Sequence, residues 1–360
     1  MDRQTVDVYE SGAGEYATQR RAYAPERAEA FAAAVTEGAW RLDVGCGPGH
    51  YLPHLGRPVV ASDPAAAMVA AAVERHGGPG VAGVVCEVEA MPFRRGAFGG
   101  AWASKSLQHV PARQLPLALA ELHRVLPVGG VLDVTLFGGQ GAEVSDADDD
   151  FPGRLFTWWE PSRLEDLLVG AGFEAIDVDI PTPDDTHGRF TVTARRARSL
   201  ADTVGAGMRL LVCGLNPSLY AADAGVGFAR PGNRYWPAAL AAGIVSTDRD
   251  PRAALQDHGV GMTDIVKRAT ARADELAPAE YRDGLARVER LVAWLQPGAV
   301  CFVGLAGWRA AVDRKARPGI QPDDLGGRPV YVMPSTSGLN ARTPPSELAA
   351  HLRAAAALAD

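Results

Sequence analysis

Two short runs about 120 residues apart constrain this chain most: Leu211-Val-Cys-Gly-Leu-Asn-Pro-Ser218 and Val332-Met-Pro-Ser-Thr-Ser-Gly-Leu-Asn-Ala-Arg342. Each begins as an apolar or β-branched strand and breaks abruptly into Gly, Pro, Ser and Asn, residues that end strands. Both strands are expected to stop at the same sheet edge. The first run places an amide, Asn216, at a strand exit. The second places a small-residue loop tipped by Leu339 beside it. An amide able to hold a water, next to an exposed apolar wedge, suits chemistry on a base pushed out of a duplex.

The chain has 360 residues, more than one ordinary domain needs, so two domains are expected. With 47% apolar and 22% charged residues it is globular rather than disordered. Met1-Asp-Arg-Gln is polar and no apolar signal-like stretch follows it. No apolar run approaches the roughly 20 residues of a membrane span. The expectation is a cytoplasmic protein with no membrane partner. Cys46, Cys86, Cys213 and Cys301 form no C-x-x-C pair, so no metal site is expected and the thiols read as buried and reduced. The net charge of −7 is unevenly spread: residues 1–200 carry 18 Lys+Arg and 27 Asp+Glu, residues 201–360 carry 18 and 16. The arginine-rich second half (Arg230, Arg234, Arg268, Arg309, Arg314, Lys315, Arg317, Arg342) fits a modest phosphate-contacting surface.

After a helical lead-in over 1–40, strands are predicted at 40–44, 59–63, 81–88, 101–104 and 131–137. Helices at 66–75 and 115–126 lie between them. This alternation predicts a doubly wound, Rossmann-like sheet. An acidic loop at 141–153, a helix at 165–171 and late strands at 175–180 and 189–194 complete the first domain, 1–198. The stretch 199–207, polar and small, reads as a linker. The domain 208–360 restarts the rhythm, with strands at 209–214, 299–304 and 330–333. Its helices fall at 236–242, 281–295, 307–313 and 346–358, with Ser346 as the last N-cap. The fold class is therefore α/β in both domains.

Asp43-Val-Gly-Cys-Gly-Pro-Gly49 follows a strand and precedes a helix. Gly45, Gly47 and Gly49 let a ligand approach the backbone closely, and Asp63, ending the next strand, suits paired ribose hydroxyls. The spacing is not the G-x-G-x-x-G of dinucleotide sites. These residues, with Glu87-Val-Glu-Ala-Met-Pro-Phe93 and Leu122-His-Arg-Val-Leu-Pro-Val-Gly-Gly130, resemble the S-adenosylmethionine-dependent class I methyltransferases over about residues 5–197. The resemblance implies S-adenosylmethionine as cofactor. By it Asp43 belongs to the cofactor motif, Gly45, Gly47 and Gly49 line the methionine part, Asp63 takes the ribose, and Glu87 with Ala90 or Met91 borders the adenine. Gly99 departs from relatives that carry an acid after Phe98. His109 reads either as a base near the methyl group or as structural. Trp158 and Trp159 read either as a cap on an acceptor pocket or as packing.

The run from Asn216 to Trp236 is loop-rich with one central aromatic, Phe228, set between Gly227 and Ala229. Such a ring can stack on a base face, worth about 1–3 kcal/mol. Asn233 and Arg234 would fix the loop or touch a phosphate, and Tyr235 and Trp236 read as structural. With Gly261-Met-Thr-Asp-Ile-Val-Lys-Arg268 and the 332–342 loop, this pattern resembles the mismatch-specific uracil/thymine-DNA glycosylases over about residues 207–358. The implied fold is a three-layer α/β/α domain like that of the uracil-DNA glycosylases. The implied partner is double-stranded DNA with a G·U or G·T mismatch. By that resemblance Asn216 holds the attacking water, Phe228 stacks on the extruded pyrimidine, and Gly214 and Leu215 border the base. Ser337, Gly338, Leu339, Asn340 and Arg342 would form the DNA wedge. No lysine in these motifs suggests strand cleavage, so a monofunctional enzyme is expected. An amide is a poor general base, so the chemistry would lean on stabilising the departing uracil anion. Two departures stand out: the arginine falls one place later than in the relatives' Ser-Gly-Leu-Ser-Arg, and Ala221 replaces a hydroxyl near the pyrimidine.

The leading reading is a bifunctional protein that excises uracil, or a thymine or damaged pyrimidine, opposite guanine and also transfers methyl groups. A methyltransferase whose second domain only binds nucleic acid, and a non-catalytic mismatch sensor, are the alternatives.

Overall fold

The computed structural model describes residues 1–180, 188–340 and 342–359. The chain forms two compact units, Met1–Val169 with Phe173–Ala197, and Gly170–Gly172 with Arg198–Asp360.

The first unit opens with α1 (Arg3–Gln19), whose N-cap Asp2 accepts the Thr5 N–H at 2.8 Å, and α2 (Pro25–Ala34). There follow β1 (Arg41–Val44), β2 (Val59–Asp63), α3 (Ala66–His76), β3 (Val81–Val85), β4 (Gly100–Ser104), α4 (Leu115–Val125) and β5 (Val131–Phe137). A hairpin of β6 (Glu143–Ser145) and β7 (Leu155–Thr157), then α5 (Pro161–Gly170), β8 (Phe173–Asp179) and β9 (Arg189–Arg196), complete it. The main sheet runs β3-β2-β1-β4-β5-β9-β8. Its first five strands are parallel, and β9 is antiparallel to both neighbours. Residues of β1 and β2 are buried throughout, as strands covered on both faces must be. Phe31, Leu55, Val59 and Trp102 share one core cluster. Gly99 packs so closely on Val35 and Ala39 that any side chain would overlap them, which accounts for the missing acid there. The chain leaves β1 toward β2 and returns to β4 on the opposite side, so a crevice opens at the carboxyl ends of β1 and β4.

The second unit contains β10 (Leu210–Gly214), α6 (Leu219–Ala224), α7 (Tyr235–Ala242), α8 (Pro251–His258) and β11 (Val260–Asp264). It continues through α9 (Pro278–Leu295), β12 (Ala299–Val303), α10 (Leu305–Ala311), β13 (Gly319–Ile320), β14 (Val330–Met333) and α11 (Pro345–Ala356). The sheet order is β11-β10-β12-β14-β13, parallel except for β13. Period-two alternation turns Leu210, Val212, Val260, Met262, Cys301 and Met333 toward α7 and α11, where they meet Tyr235, Trp236, Leu348 and Leu352. Phe302 points the other way and packs on Trp308 of α10, ring centroids 5.0 Å apart. The domain is thus three-layered. Burial of each such large side chain contributes about 1.5–3 kcal/mol.

Three sequence expectations need correction. β11 and α8 were not anticipated, because Val-Gly-Met-Thr-Asp mixes a glycine and polar residues into a short strand. The last helix begins at Pro345 with Pro344 as N-cap, so Ser346 lies inside it and does not cap. Residues 199–207 are not a free linker: Ser199, Asp202 and Val204 are buried, and Thr203 pairs with Met262 across two backbone hydrogen bonds of 2.8 and 2.9 Å. The segment is polar because Asp202 balances two buried cations. Its Oδ1 accepts from Lys267 Nζ and Thr263 Oγ1, each at 2.7 Å, and its Oδ2 from Arg287 at 2.8 Å. Burial opposes ionisation of Asp202, but Arg287 and Lys267 overcome it and hold the carboxyl below its usual range.

Candidate functional site

In the first unit a cavity of about 420 Å³ opens at the crevice between β1 and β4. Gly45, Gly47 and Asp63 line it, as do Ser104, Lys105 and Ser106 at the exit of β4. The Asp63 carboxylate accepts the Gly47 N–H at 3.0 Å and the Ala65 N–H at 2.9 Å. Burial nonetheless pushes its carboxyl up to about 6. At Gly47 (φ +51°) the nearest atom to a Cβ would be a ring carbon of Tyr16 at 3.9 Å, so the turn exposes backbone to the cavity. The structure separates the other expected cofactor residues from that surface. Gly49 packs under the turn, where a Cβ would meet Leu52 and Ala72 within about 3 Å. Asp43 is buried within β1, with Oδ2 taking no hydrogen bond from the described residues, and burial pushes its carboxyl up to about 8. Glu87 is exposed, 3.7 Å from the Met1 ammonium, and does not line the cavity. Ala90 is exposed and Met91 buried.

The cavity's other wall is aromatic: Tyr9, Tyr16, Phe137, Phe156 and His109. His109 Nδ1 meets the Leu155 carbonyl at 2.6 Å and must donate to it. Nε2 is therefore the acceptor for the Tyr9 hydroxyl at 2.9 Å, which in turn accepts from Arg154 at 3.0 Å. Burial lowers His109 to about 4, so it stays neutral. Both its nitrogens are engaged, by Leu155 and Tyr9, so in the cavity lining it offers no free ring nitrogen. Trp159 is buried, Trp158 packs on Phe137, and neither lines the cavity.

The second unit has a cavity of about 690 Å³ at the carboxyl ends of β10 and β11. Asn216, Phe228, Ser337 and Leu339, from three separate parts of the sequence, all line it. The Asn216 side-chain N–H group donates to Thr270 Oγ1 (2.8 Å), Arg268 O (3.0 Å) and Pro217 O (3.2 Å). These acceptors fix the amide, and its Oδ1 takes no hydrogen bond from the described residues. Phe228 (φ +58°) stacks on buried Tyr235 with centroids 4.3 Å apart, and Trp236 Nε1 anchors the preceding Gly227 carbonyl at 2.8 Å. One face of the Phe228 ring is thus backed by protein. Asn233 Oδ1 accepts the Tyr235 N–H at 2.9 Å, so it fixes the loop. Ala221 lines the cavity too.

Gly214 and Leu215 do not line it. Gly214 is the register partner of Asp264, and a Cβ there would lie 2.2 Å from Asp264 Oδ1 and 3.4 Å from the Phe228 ring. Its missing side chain makes room for that carboxylate. Leu215 turns toward Gly307 of α10. In the wedge run Leu339 is 93% exposed, whereas Gly338 presses on the Gly232 carbonyl. Asn340 Nδ2 donates to Ser335 O (2.8 Å) and Thr343 Oγ1 (3.1 Å). Arg342 is exposed, outside the cavity lining. Several expected phosphate-contacting arginines are engaged internally. Arg234 donates to the Ser337, Asn340 and Thr343 carbonyls, Arg268 pairs with Glu280, and Arg309 donates to Ala316 O. Arg230 remains exposed in the cavity lining, beside Arg272, which was not among the expected arginines and pairs with Asp274.

Asp264 is the residue sequence reasoning missed. It lines the cavity, is buried, and is pushed up to about 6 by burial, against the opposing pull of Lys267. A carboxyl in that range can take a proton near neutral pH. Thr270, which orients Asn216, was missed as well. The glycine opposite Asp264 was the one available signal.

Comparison with known proteins agrees with this division. Residues 42–134 match a methyltransferase domain model, and residues 202–358 match the uracil DNA glycosylase superfamily. The chain joins a methyltransferase domain to a domain of the uracil DNA glycosylase superfamily. Similar solved structures include an S-adenosylmethionine-dependent methyltransferase from Methanosarcina mazei, with 18% identity, covering 49% of this chain and 99% of that one at a TM-score of 0.41. Another is the 1,6-didemethyltoxoflavin-N1-methyltransferase of Burkholderia thailandensis, with 24% identity, 54% and 88% coverage and a TM-score of 0.43.

Proposed function

We propose that the second domain is a monofunctional DNA glycosylase acting on uracil mispaired with guanine, and that the first transfers methyl groups from S-adenosylmethionine. The observation carrying the first half is the convergence of Asn216, Phe228, Ser337 and Leu339 on one cavity. A uracil swung into it stacks on Phe228 while Leu339 stands in the vacated gap of the duplex. The N-glycosidic bond breaks with its electron pair leaving on the base, whose oxygens accept N–H bonds, and positive charge develops on the sugar. A water accepted at Asn216 Oδ1 attacks that carbon, and Asp264 takes the water's proton. This assignment gives a carboxylate the base role that an amide fills poorly.

Release of uracil from a G·U duplex by the full chain is the direct assay, with G·T and single-stranded uracil alongside. Methyl transfer without base release would favour a domain that only binds nucleic acid. Mismatch binding with no product would favour a sensor. With Asp264 at about 6, the release rate is expected to climb as pH rises through about 6 and then level off. Asp264→Asn should flatten that rise, and an unchanged profile would remove Asp264 from the role.

For the methyltransferase half, the exposed backbone at Gly45 and Gly47 and the carboxylate of Asp63 fit a nucleoside bearing a charged amino acid. When bound, S-adenosylmethionine supplies an electrophilic methyl group. Asp63 would hold the ribose hydroxyls, and Tyr9 and Tyr16, which line the same cavity, would help to enclose the cofactor. Asp63→Ala is expected to weaken S-adenosylhomocysteine by about 10–100-fold, the loss of hydrogen bonds to a charged group. Calorimetric titration measures it, and a change below threefold would exclude Asp63.

A further inference from the structure

Taking the first domain as a methyltransferase, we infer that its methyl acceptor is a small molecule carrying a carboxylate or phosphate, which docks on Lys105. Lys105 follows β4 directly, at the crevice where the glycine turn after β1 also lies. Its backbone is left-handed (φ +55°), a conformation rarely tolerated by a lysine, held by its N–H to Thr135 O at 2.9 Å. That geometry turns a half-buried ammonium into the cavity wall. Lys105 has no carboxylate partner among the described residues. It lies 5.2 Å from the centroid of Tyr23, and the Arg189 guanidinium sits 4.1 Å over the same ring.

The carboxylates lining the cavity are committed elsewhere. Asp149 pairs with Arg154, Asp150 with Arg20, and Asp63 with two backbone N–H groups. The positive charge of Arg189 bears on the Lys105 ammonium, and an incoming anion offsets that effect. Burial, reinforced by Arg189, already lowers Lys105 to about 8. Tyr9, Phe137 and Phe156 line the same cavity, Phe137 as the register partner of Arg189, and suit an apolar or aromatic body attached to the anion.

The test is calorimetric titration of the full chain saturated with S-adenosylhomocysteine, using benzoate, phenyl phosphate, benzyl alcohol and benzylamine as probes. At least one anion is expected to bind, about tenfold or more tighter than the alcohol or the amine. The tighter of the two anions separates a carboxylate acceptor from a phosphate one. Lys105→Asn should weaken that anion about tenfold while S-adenosylhomocysteine stays within about threefold, since asparagine tolerates the left-handed backbone. Failure of both anions to bind, equal binding of all four probes, or an unchanged anion affinity in Lys105→Asn overturns the proposal. If S-adenosylhomocysteine itself does not bind but the anions do, the methyltransferase reading fails and the acceptor assignment falls with it. That result is distinct from a cofactor that binds without any anion.

Discussion

Asn216→Ala is expected to slow uracil release from a G·U duplex by about 10²–10³-fold under single-turnover conditions, with duplex affinity changed only a few-fold. The amide is anchored on its nitrogen side by Thr270 and the Arg268 and Pro217 carbonyls, and alanine removes those three donations together with the oxygen that would hold the water. A water without that acceptor still enters the cavity but samples many orientations, and the loss falls on the chemical step. Thr270→Val should reproduce part of the loss by freeing the amide to rotate. A drop smaller than tenfold in Asn216→Ala would show that the water is held elsewhere. Measuring the Asp264→Asn and Asn216→Ala double variant then separates orientation from proton transfer, because groups acting as a unit do not add.

The second large effect concerns stability. Asp202→Ala is expected to destabilise the second domain by about 3–5 kcal/mol, because it strands two buried cations, Lys267 and Arg287. Urea unfolding followed over the second domain's own transition measures it. The carboxyl of Asp202 is held low in the fold, so its stabilisation is present above the ordinary carboxylate range and lost as pH falls through its folded value. The wild type should accordingly lose more stability than Asp202→Ala on acidification. A loss below 1 kcal/mol would show that the cations reach solvent in the variant.

The parts of both sites that were legible in sequence are those written locally. A strand followed by Gly-Cys-Gly-Pro-Gly, a Gly-Leu-Asn-Pro exit and a Ser-Gly-Leu-Asn tip each combine a backbone requirement with one distinctive side chain. They single out Gly45, Gly47, Asp63, Asn216, Phe228 and Leu339, which line the two cavities. What was not legible depends on residues distant in sequence. Asp264 and Gly214 become informative only once β10 and β11 are in register. Asp202 reads as linker chemistry until Lys267 and Arg287 close on it. Gly49 and Leu215 belong to recognisable motifs, yet their backbones turn them toward helices rather than ligands. Lys105 carries no motif at all, and its position follows from one unusual backbone angle.

The tie between Arg234 and the carbonyls of Ser337, Asn340 and Thr343 has a kinetic consequence. Arg234 ties the carbonyls on both sides of the leucine tip, so on the proposed function less ordering entropy would be left to lose on encounter with DNA. On the proposed function, preorganisation of this kind would let the protein probe successive base steps without refolding at each one. Cutting the tie with Arg234→Ala would then slow productive insertion more than it weakens initial capture.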